Sequence, residues 1–349
     1  MQVGLIGATG YTGLELLRLL AQHPRRPEVA VITSRQEAGR ALTEVFPGLA
    51  GLANYDRLIF EAPAAEAPAG RAEVFFLAAP HGVALSLAPA LLAGGAKVID
   101  LSADFRLKSP AVFEQWYQPH TAPDLLPEAV YGLPEIRAEA LARARLVANP
   151  GCYPTSAILG LAPLVRAGLL AEDRPVIIDA ASGVTGSGRG ALLGNSFCEV
   201  AEGFKAYKVT GHRHIPEMEQ ELSALGGRPL TVAFTPHLAP FNRGILSTIY
   251  ARPRGGVPAA GDLLGLYLDF YRAAPFVRVR PSGFEPRTVE VRGTNFCDLA
   301  LFPDPRSGLI KIISVIDNLC RGASGQALAN FNLINGWAET EGLTLAPLN

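Results

Sequence analysis

The chain alternates short, almost wholly apolar runs with longer stretches whose apolar residues recur at helical spacing. Residues 3–6 form one such run and stop at Gly7. Leu14, Leu16, Leu17, Leu19 and Leu20 then mark a helix. Further runs at 29–33, 74–78 and 97–100 predict strands, with a helix over 84–93 between the last two. Alternating strands and helices of this kind close into a parallel sheet, so the first part is expected to be a doubly wound α/β domain. After Cys152, the spacing of Ile158, Leu159, Leu161 and Leu164 predicts another helix, and 176–181 predicts a strand. The most apolar stretch, 74–101, is interrupted by Pro80, His81, Pro89, Gly94, Gly95 and Lys97, too broken for a membrane span.

At 349 residues the chain has room for two domains, taking roughly 150 residues per domain. Apolar residues make up 49% of it, ample for a core in each. The formal net charge is -1 and no block of Lys or Arg occurs, which speaks against nucleic-acid or membrane partners. Met1 leads into a strand and a glycine turn rather than a basic stretch and cleavage site, so no signal peptide is expected. The four cysteines, Cys152, Cys198, Cys297 and Cys320, lie far apart without a CxxC pair. A disulfide framework or zinc site is not expected, and a reduced cytoplasmic compartment fits. Arg far outnumbers Lys and Pro is frequent, which suits a GC-rich genome or a hot habitat without separating them.

The candidate chemistry starts at Gly7-Ala8-Thr9-Gly10-Tyr11-Thr12-Gly13, between the first strand and its helix. Glycines there let the backbone turn tightly and approach a pyrophosphate, and the helix start offers N–H groups to the anion. The spacing is GxxGxxG, a relative of the GxGxxG dinucleotide loop. The second strand ends in Ser34-Arg35, where an acidic residue would favour NAD. A hydroxyl and a guanidinium suit a 2′-phosphate, so NADP is the expected cofactor. The loops at 79–82 and 101–106 follow strands three and four and are expected to face the cofactor crevice.

Cys152 sits in Asn149-Pro150-Gly151-Cys152-Tyr153-Pro154-Thr155, at the predicted start of a helix. The partial positive charge of a helix N-terminus can lower a thiol pKa from about 8.5 toward 7 or below, giving a nucleophilic thiolate. Cys198, Cys297 and Cys320 lack that setting and read as ordinary apolar fillers. Ser182-Gly183-Val184-Thr185-Gly186-Ser187-Gly188-Arg189 looks like a phosphate-binding loop but lacks the lysine of a nucleotide-triphosphate site. In Gly211-His212-Arg213-His214-Ile215-Pro216-Glu217, two imidazoles flank an arginine, a proton carrier beside an anion-binding group. No third ligand at a supporting spacing accompanies them, so no metal is expected.

Together these segments resemble the N-acetyl-gamma-glutamyl-phosphate reductase family, within the aspartate-semialdehyde dehydrogenase-like group. The resemblance also rests on LSADFRL from Leu101, YGLPE from Tyr131, VRGTNFCD from Val291 and IDNLCRGASGQALANFN from Ile316. It spans the chain in family order. It implies a Rossmann NADP-binding domain over 1–150 completed by a C-terminal helix over 318–349. It also implies an α+β catalytic and dimerisation domain with a mixed sheet over 151–317, and a homo-oligomer, dimer or tetramer. The implied reaction is NADPH-dependent reduction of N-acetyl-gamma-glutamyl phosphate to the semialdehyde, with phosphate release, in arginine biosynthesis. By position, Cys152 would be the nucleophile and the His212/His214 pair would hold the acid–base residue, His214 for preference. Gly7, Thr9, Gly10, Tyr11, Thr12 and Gly13 would bind the pyrophosphate, and Ser34 and Arg35 the adenosine end. Ser182 and Gly183 would lie near the nicotinamide or diphosphate, and Asn318 would close over the nicotinamide. Arg106 or Arg213 would hold the substrate's phosphate or carboxylate.

Four rivals stand beside this reading. A paralogue reducing carrier-bound aminoadipyl phosphate in lysine biosynthesis differs by one substrate methylene, worth about 1–3 kcal/mol in a pocket. The segments around Cys152 and Gly183 favour the glutamyl enzyme. An aspartyl-phosphate reductase fits the GHRH segment poorly, and a short-chain dehydrogenase would need a Tyr-x-x-x-Lys that the chain lacks. A catalytically silent NADP-sensing regulator would not need Cys152 and both histidines.

Overall fold

The computed structural model describes all residues except 64–67, 192 and 349. It divides into two compact units, Met1–Pro150 with Ala323–Thr344, and Gly151–Gly322 with the stretch from Leu345.

In the first unit six strands form one sheet: β1 (Gln2–Ile6), β2 (Glu28–Thr33), β3 (Val74–Leu77), β4 (Lys97–Asp100), β5 (Val130–Tyr131) and β6 (Leu146–Ala148). Their order is β2-β1-β3-β4-β6-β5 and every pairing is parallel. β3 and β6 are buried along their whole length, which explains their unbroken apolar runs. The chain leaves β1 for β2 on one side and later enters β3 on the other, so the loops after β1 and β3 flank the topological switch point. They touch there: Gly7, at φ +81°, lies so close to the loop after β3 that a Cβ would sit 2.6 Å from the Ala78 carbonyl oxygen. The loop after β4 folds back beneath Gly82. The Gly82 N–H donates to both oxygens of the buried Asp104 at 2.9 and 2.8 Å. Burial, with Asp104 nearby, pushes the Asp100 carboxyl up to about 7.

The terminal helix departs from its expected bounds. It runs Gly325–Ile334, preceded by a π-helical turn over Cys320–Ser324 in which the Gly322 N–H reaches the Asp317 carbonyl at 2.9 Å. Residues 318–322 belong to the second unit, so the division falls inside the segment for which the resemblance implied one helix. Within the first unit the helix is held by amides: Gln326 and Asn330 both donate to the Gly132 carbonyl, at 2.8 and 2.9 Å.

The second unit carries a seven-stranded mixed sheet of β7 (Val176–Gly183), β8 (Lys205–Ala206), β9 (Val232–Ala239), β10 (Ile245–Ala251), β11 (Val277–Val279), β12 (Cys297–Asp304) and β13 (Leu309–Ile316). The order is β11-β12-β13-β10-β7-β9-β8. β7/β9 and β11/β12 are parallel and the other pairs antiparallel. Burial alternates along β7 and β10: Ile178, Ala180, Ile245 and Ile249 are covered, while Ile177 stays exposed.

The helix Cys152–Arg166 packs on the covered face and is buried from Tyr153 to Val165, as an all-round apolar helix requires. Gly160 admits the sheet closely, since a Cβ there would lie 2.5 Å from the Ile249 side chain. Ser156 Oγ sits 2.9 Å from both Ser247 Oγ and Ser314 Oγ, pinning helix to sheet by polar contacts inside the core. Pro163 lies inside this helix and has no N–H for the Leu159 carbonyl four residues back. The Tyr271 hydroxyl donates to that carbonyl instead, at 2.5 Å, and Tyr267 donates to the Gly160 carbonyl at 2.6 Å. Tyr271→Phe should therefore destabilise the protein by about 1–3 kcal/mol, the usual cost of a buried polar group left unpaired. In a Pro163→Ala background the restored N–H should absorb much of that loss. Equal costs in both backgrounds, measured by urea unfolding, would show that Tyr271 does not stand in for the missing donor.

Candidate active site

In the first unit the glycine loop and the end of β2 form one cluster. The Gly7 N–H donates to Thr33 Oγ1 at 3.2 Å, and Thr9 Oγ1 lies 3.2 Å from Ser34 Oγ. The three glycines serve different ends. Gly7 is fixed by its positive φ, and at Gly13 a Cβ would stand 2.6 Å from the Ala8 carbonyl, so helix and loop could not close. At Gly10 a Cβ would meet only the Gly7 carbonyl, at 3.9 Å, so packing does not demand a glycine there. Gly10 caps the helix Tyr11–Ala21, which has neither a side-chain cap nor an acidic residue in its first turn. That open, uncapped turn fits a pyrophosphate, with Tyr11, Thr12 and Gly13 contributing first-turn backbone. Ser34 is buried and accepts N–H bonds from Gln36 and Glu37 at 3.3 and 3.2 Å, shaping the turn from which Arg35 projects, exposed. Arg106 is buried, with Nε donating to the Asn149 carbonyl at 2.8 Å and Nη2 to the Leu101 carbonyl at 3.0 Å. Part of its guanidinium is thus spent on its own domain's backbone.

In the second unit Cys152 is the first residue of its buried helix and is itself partly accessible. Gly151 caps that helix, and Thr155 ties back to the Gly151 carbonyl through its N–H and its hydroxyl, both at 2.9 Å. The missing side chain at Gly151 is filled by an imidazole: a Cβ there would lie 2.5 Å from His214 Nε2. On another side, a Cβ at Gly322 would lie 2.7 Å from the Cys152 Cβ. The nucleophile candidate is therefore enclosed by two glycine contacts, one of which seats a histidine.

His212 and His214 occupy different positions. Their rings are 4.8 Å apart, centre to centre, but His212 Nδ1 accepts the His214 backbone N–H at 3.1 Å. His212 also packs edge-on against Tyr153, Tyr207 and Phe234. Burial, with Lys208 and Arg213 adding repulsion, pulls its pKa down to about 4, so the ring is neutral near pH 7. Tyr153 and Tyr207, which the sequence did not single out, join hydroxyls at 3.2 Å. Arg213 is exposed between the two histidines.

Ser182 and Gly183 end β7, and Gly183 is pressed against residues 242–243, where a Cβ would stand 2.5 Å from the Asn242 carbonyl. The Gly183 and Thr185 N–H groups bond to the carbonyls of Gly244 and Asn242. Asn318 clamps this junction: its Oδ1 accepts the Gly244 N–H at 2.7 Å and its Nδ2 donates to Thr185 Oγ1 at 3.0 Å. Asp317 beneath it pairs with Arg243 at 2.8 Å and accepts the N–H groups of Gly293, Leu319 and Cys320. Asp317 and Arg243 were not anticipated. Among the described residues no helix is long and apolar enough to cross a membrane, and no group of three or more His, Cys, Asp or Glu is placed to hold a metal ion.

Residues 2–144 match the family model for the semialdehyde dehydrogenase NAD binding domain, and residues 152–318 that for the semialdehyde dehydrogenase dimerisation domain. The chain is 53% identical over 351 aligned positions to an N-acetyl-gamma-glutamyl-phosphate reductase of Citrifermentans bemidjiense, covering 100% of this chain and 99% of that protein. The chain belongs to the N-acetyl-gamma-glutamyl-phosphate reductase family. A relative with the same name from Geotalea daltonii is 54% identical over 344 positions, covering 98% of each chain. Among solved structures, aspartate semialdehyde dehydrogenase II of Vibrio cholerae has a TM-score of 0.71 at 16% identity, covering 96% of this chain and 98% of that one. Aspartate semialdehyde dehydrogenase with NADP from Candida albicans has a TM-score of 0.69 at 15% identity, covering 97% and 99%. At these identities the two structures establish the shared fold, a parallel nucleotide-binding sheet and a second mixed sheet.

The lowered pKa of His212 links folding to protons. Above its unfolded value of about 6.5 the ring is neutral in folded and unfolded chains alike. As the pH falls from there toward about 4, the unfolded chain binds a proton that the folded chain does not, and stability is lost. Melting temperatures at pH 7 and pH 5 should fall less between the two for His212→Gln than for the parent protein. An identical drop in both would assign the proton linkage to another group.

Proposed function

We propose that this chain catalyses the NADPH-dependent reduction of N-acetyl-gamma-glutamyl phosphate to N-acetylglutamate semialdehyde, releasing phosphate, in the arginine biosynthesis of the cytoplasm. The observation that carries the mechanism is the seating of His214 Nε2 in the space where Gly151 lacks a side chain, next to Cys152. Full-length identity to the named relatives supports the glutamyl substrate over the aminoadipyl one.

Cys152 attacks the acyl phosphate carbon, and backbone N–H groups at its helix start stabilise the oxyanion. Phosphate leaves and a thioester remains on Cys152. Sulfur donates weakly into the carbonyl, so this ester is a better hydride acceptor than an oxygen ester or carboxylate. Bound NADPH supplies hydride chemistry. Its pyrophosphate belongs on the first turn after Gly10, and its 2′-phosphate beside Ser34 and Arg35. His214 carries the proton exchanged as the thiohemiacetal collapses and the Cys152 thiolate is released. His212, neutral and committed through Nδ1 to the His214 backbone, orients the segment. The substrate's anionic group falls to the exposed Arg213, and Arg106 supports the first domain from within. Ser182 and Gly183 form the wall near the nicotinamide or diphosphate, and Asn318 fixes that wall through Thr185 and Gly244 rather than closing as a lid. The matched dimerisation domain supports a homo-oligomer, a dimer or tetramer.

Cys152→Ser should abolish turnover while leaving folding and NADP binding intact, because a serine hydroxyl has little oxyanion form near neutral pH. Cys198→Ser, at an exposed thiol, should remain active. Phosphate-dependent NADP reduction with N-acetylglutamate semialdehyde measures both. Activity of Cys152→Ser within tenfold of the parent would overturn the covalent route, and loss in Cys198→Ser alone would move it to the other thiol.

A further inference from the structure

One residue of the His212–Glu217 segment has no part in the chemistry above, although it is the most deeply buried charged side chain there. Glu217 is 1% exposed and lies in the first turn of the helix Ile215–Gly226, whose capping residue is His214. A glutamate three places after a helix cap ordinarily reaches back to the cap's own backbone N–H. Here that N–H is already taken, because His214 N–H donates to His212 Nδ1 at 3.1 Å. Glu217 reaches elsewhere: its Oε1 accepts the Gly151 N–H at 2.8 Å, across 66 residues of sequence. Gly151 is both the cap of the Cys152 helix and the residue whose absent side chain seats His214 Nε2.

The start of one helix is thereby tied to the start of the other. His214 and Glu217, one helical turn apart, address the same residue, the first by filling space and the second by a hydrogen bond. We propose that Glu217 is a positioning residue that sets the Gly151–Cys152 turn against His214. The length of its side chain and its acceptor oxygen do this, not its charge. A shift of the turn by about 1 Å is enough to cost up to 10²-fold in rate when reacting groups must be aligned. His212 contributes indirectly, since by capping His214 it leaves Glu217 available for the cross-link.

The proposal rests on Cys152 being the nucleophile. Two substitutions that leave a polar side chain in place test it without emptying the site. Glu217→Gln keeps the reach and an acceptor oxygen but removes the charge. Glu217→Asp keeps the charge but withdraws the oxygens by one methylene. Two readouts are needed: the rate of Cys152 alkylation by iodoacetamide at pH 7, followed by mass spectrometry of the peptide without substrate or cofactor, and kcat and KM in the reductase assay. Glu217→Gln should stay within about threefold of the parent in both, and Glu217→Asp should lose about tenfold or more in kcat with KM changed less than about threefold, its alkylation slowing in parallel. Glu217→Asp at parental rates, or Glu217→Gln as impaired as Glu217→Asp, would overturn the proposal. If the parent protein failed to reduce the acyl phosphate, the proposed function would fall, while the alkylation ratios would still decide the role of Glu217.

Discussion

The chemistry proposed for the second domain depends on a side chain that is not there. Gly151 is the cap of the Cys152 helix, and the volume a Cβ would occupy is taken by the His214 imidazole, 2.5 Å from that point. Any larger residue would have to displace the histidine or the cap. Everything else near Cys152 can be understood as holding this contact in register. Glu217 grips the Gly151 N–H, Thr155 grips its carbonyl, and Gly322 brings the π-helical turn against the Cys152 Cβ.

The support continues into the core. The helix carrying Cys152 is pinned to the sheet by the Ser156–Ser247–Ser314 hydroxyl cluster and by two tyrosines that serve its backbone carbonyls around Pro163. Buried hydroxyls are costly unless paired, and each here is paired. Such an arrangement gives up some apolar packing for a fixed helix position and orientation, which is what the nucleophile proposed at the helix start needs. In the first domain the division of labour among glycines is similar: Gly7 and Gly13 are required by packing, whereas Gly10 leaves space beside an uncapped helix start.

Much of this was legible in the sequence where the signal is local. The first four strands of the parallel sheet were anticipated because both-face burial leaves short apolar runs bounded by glycine and proline, and the Cys152 helix because its apolar spacing follows NPGCYPT. β5 and β6, of two and three residues, carry no periodicity to read. The resemblance implied a terminal helix from Asn318, whereas the α-helix begins at Gly325. The π-helical turn before it is closed by the Gly322 N–H on the Asp317 carbonyl, while the Asp317 carboxylate accepts the N–H groups of Leu319 and Cys320, contacts that apolar periodicity does not reveal. The resemblance placed Asn318 over the nicotinamide, and the fold adds that its amide joins Gly244 to Thr185, a contact that residue spacing does not reveal. Tyr153 and Glu217 lay inside the recognised motifs, but only the folded contacts distinguish them from their neighbours.

The central claim is that the acyl group passes through Cys152, and rapid-quench intact-mass analysis tests it most directly. Mixing the protein with N-acetyl-gamma-glutamyl phosphate in the absence of NADPH should release phosphate in a burst and leave an N-acetylglutamyl adduct on the Cys152 peptide. Adding NADPH should discharge the adduct as the semialdehyde. Semialdehyde formed at the normal rate with no adduct on Cys152, at any quench time, would contradict the account.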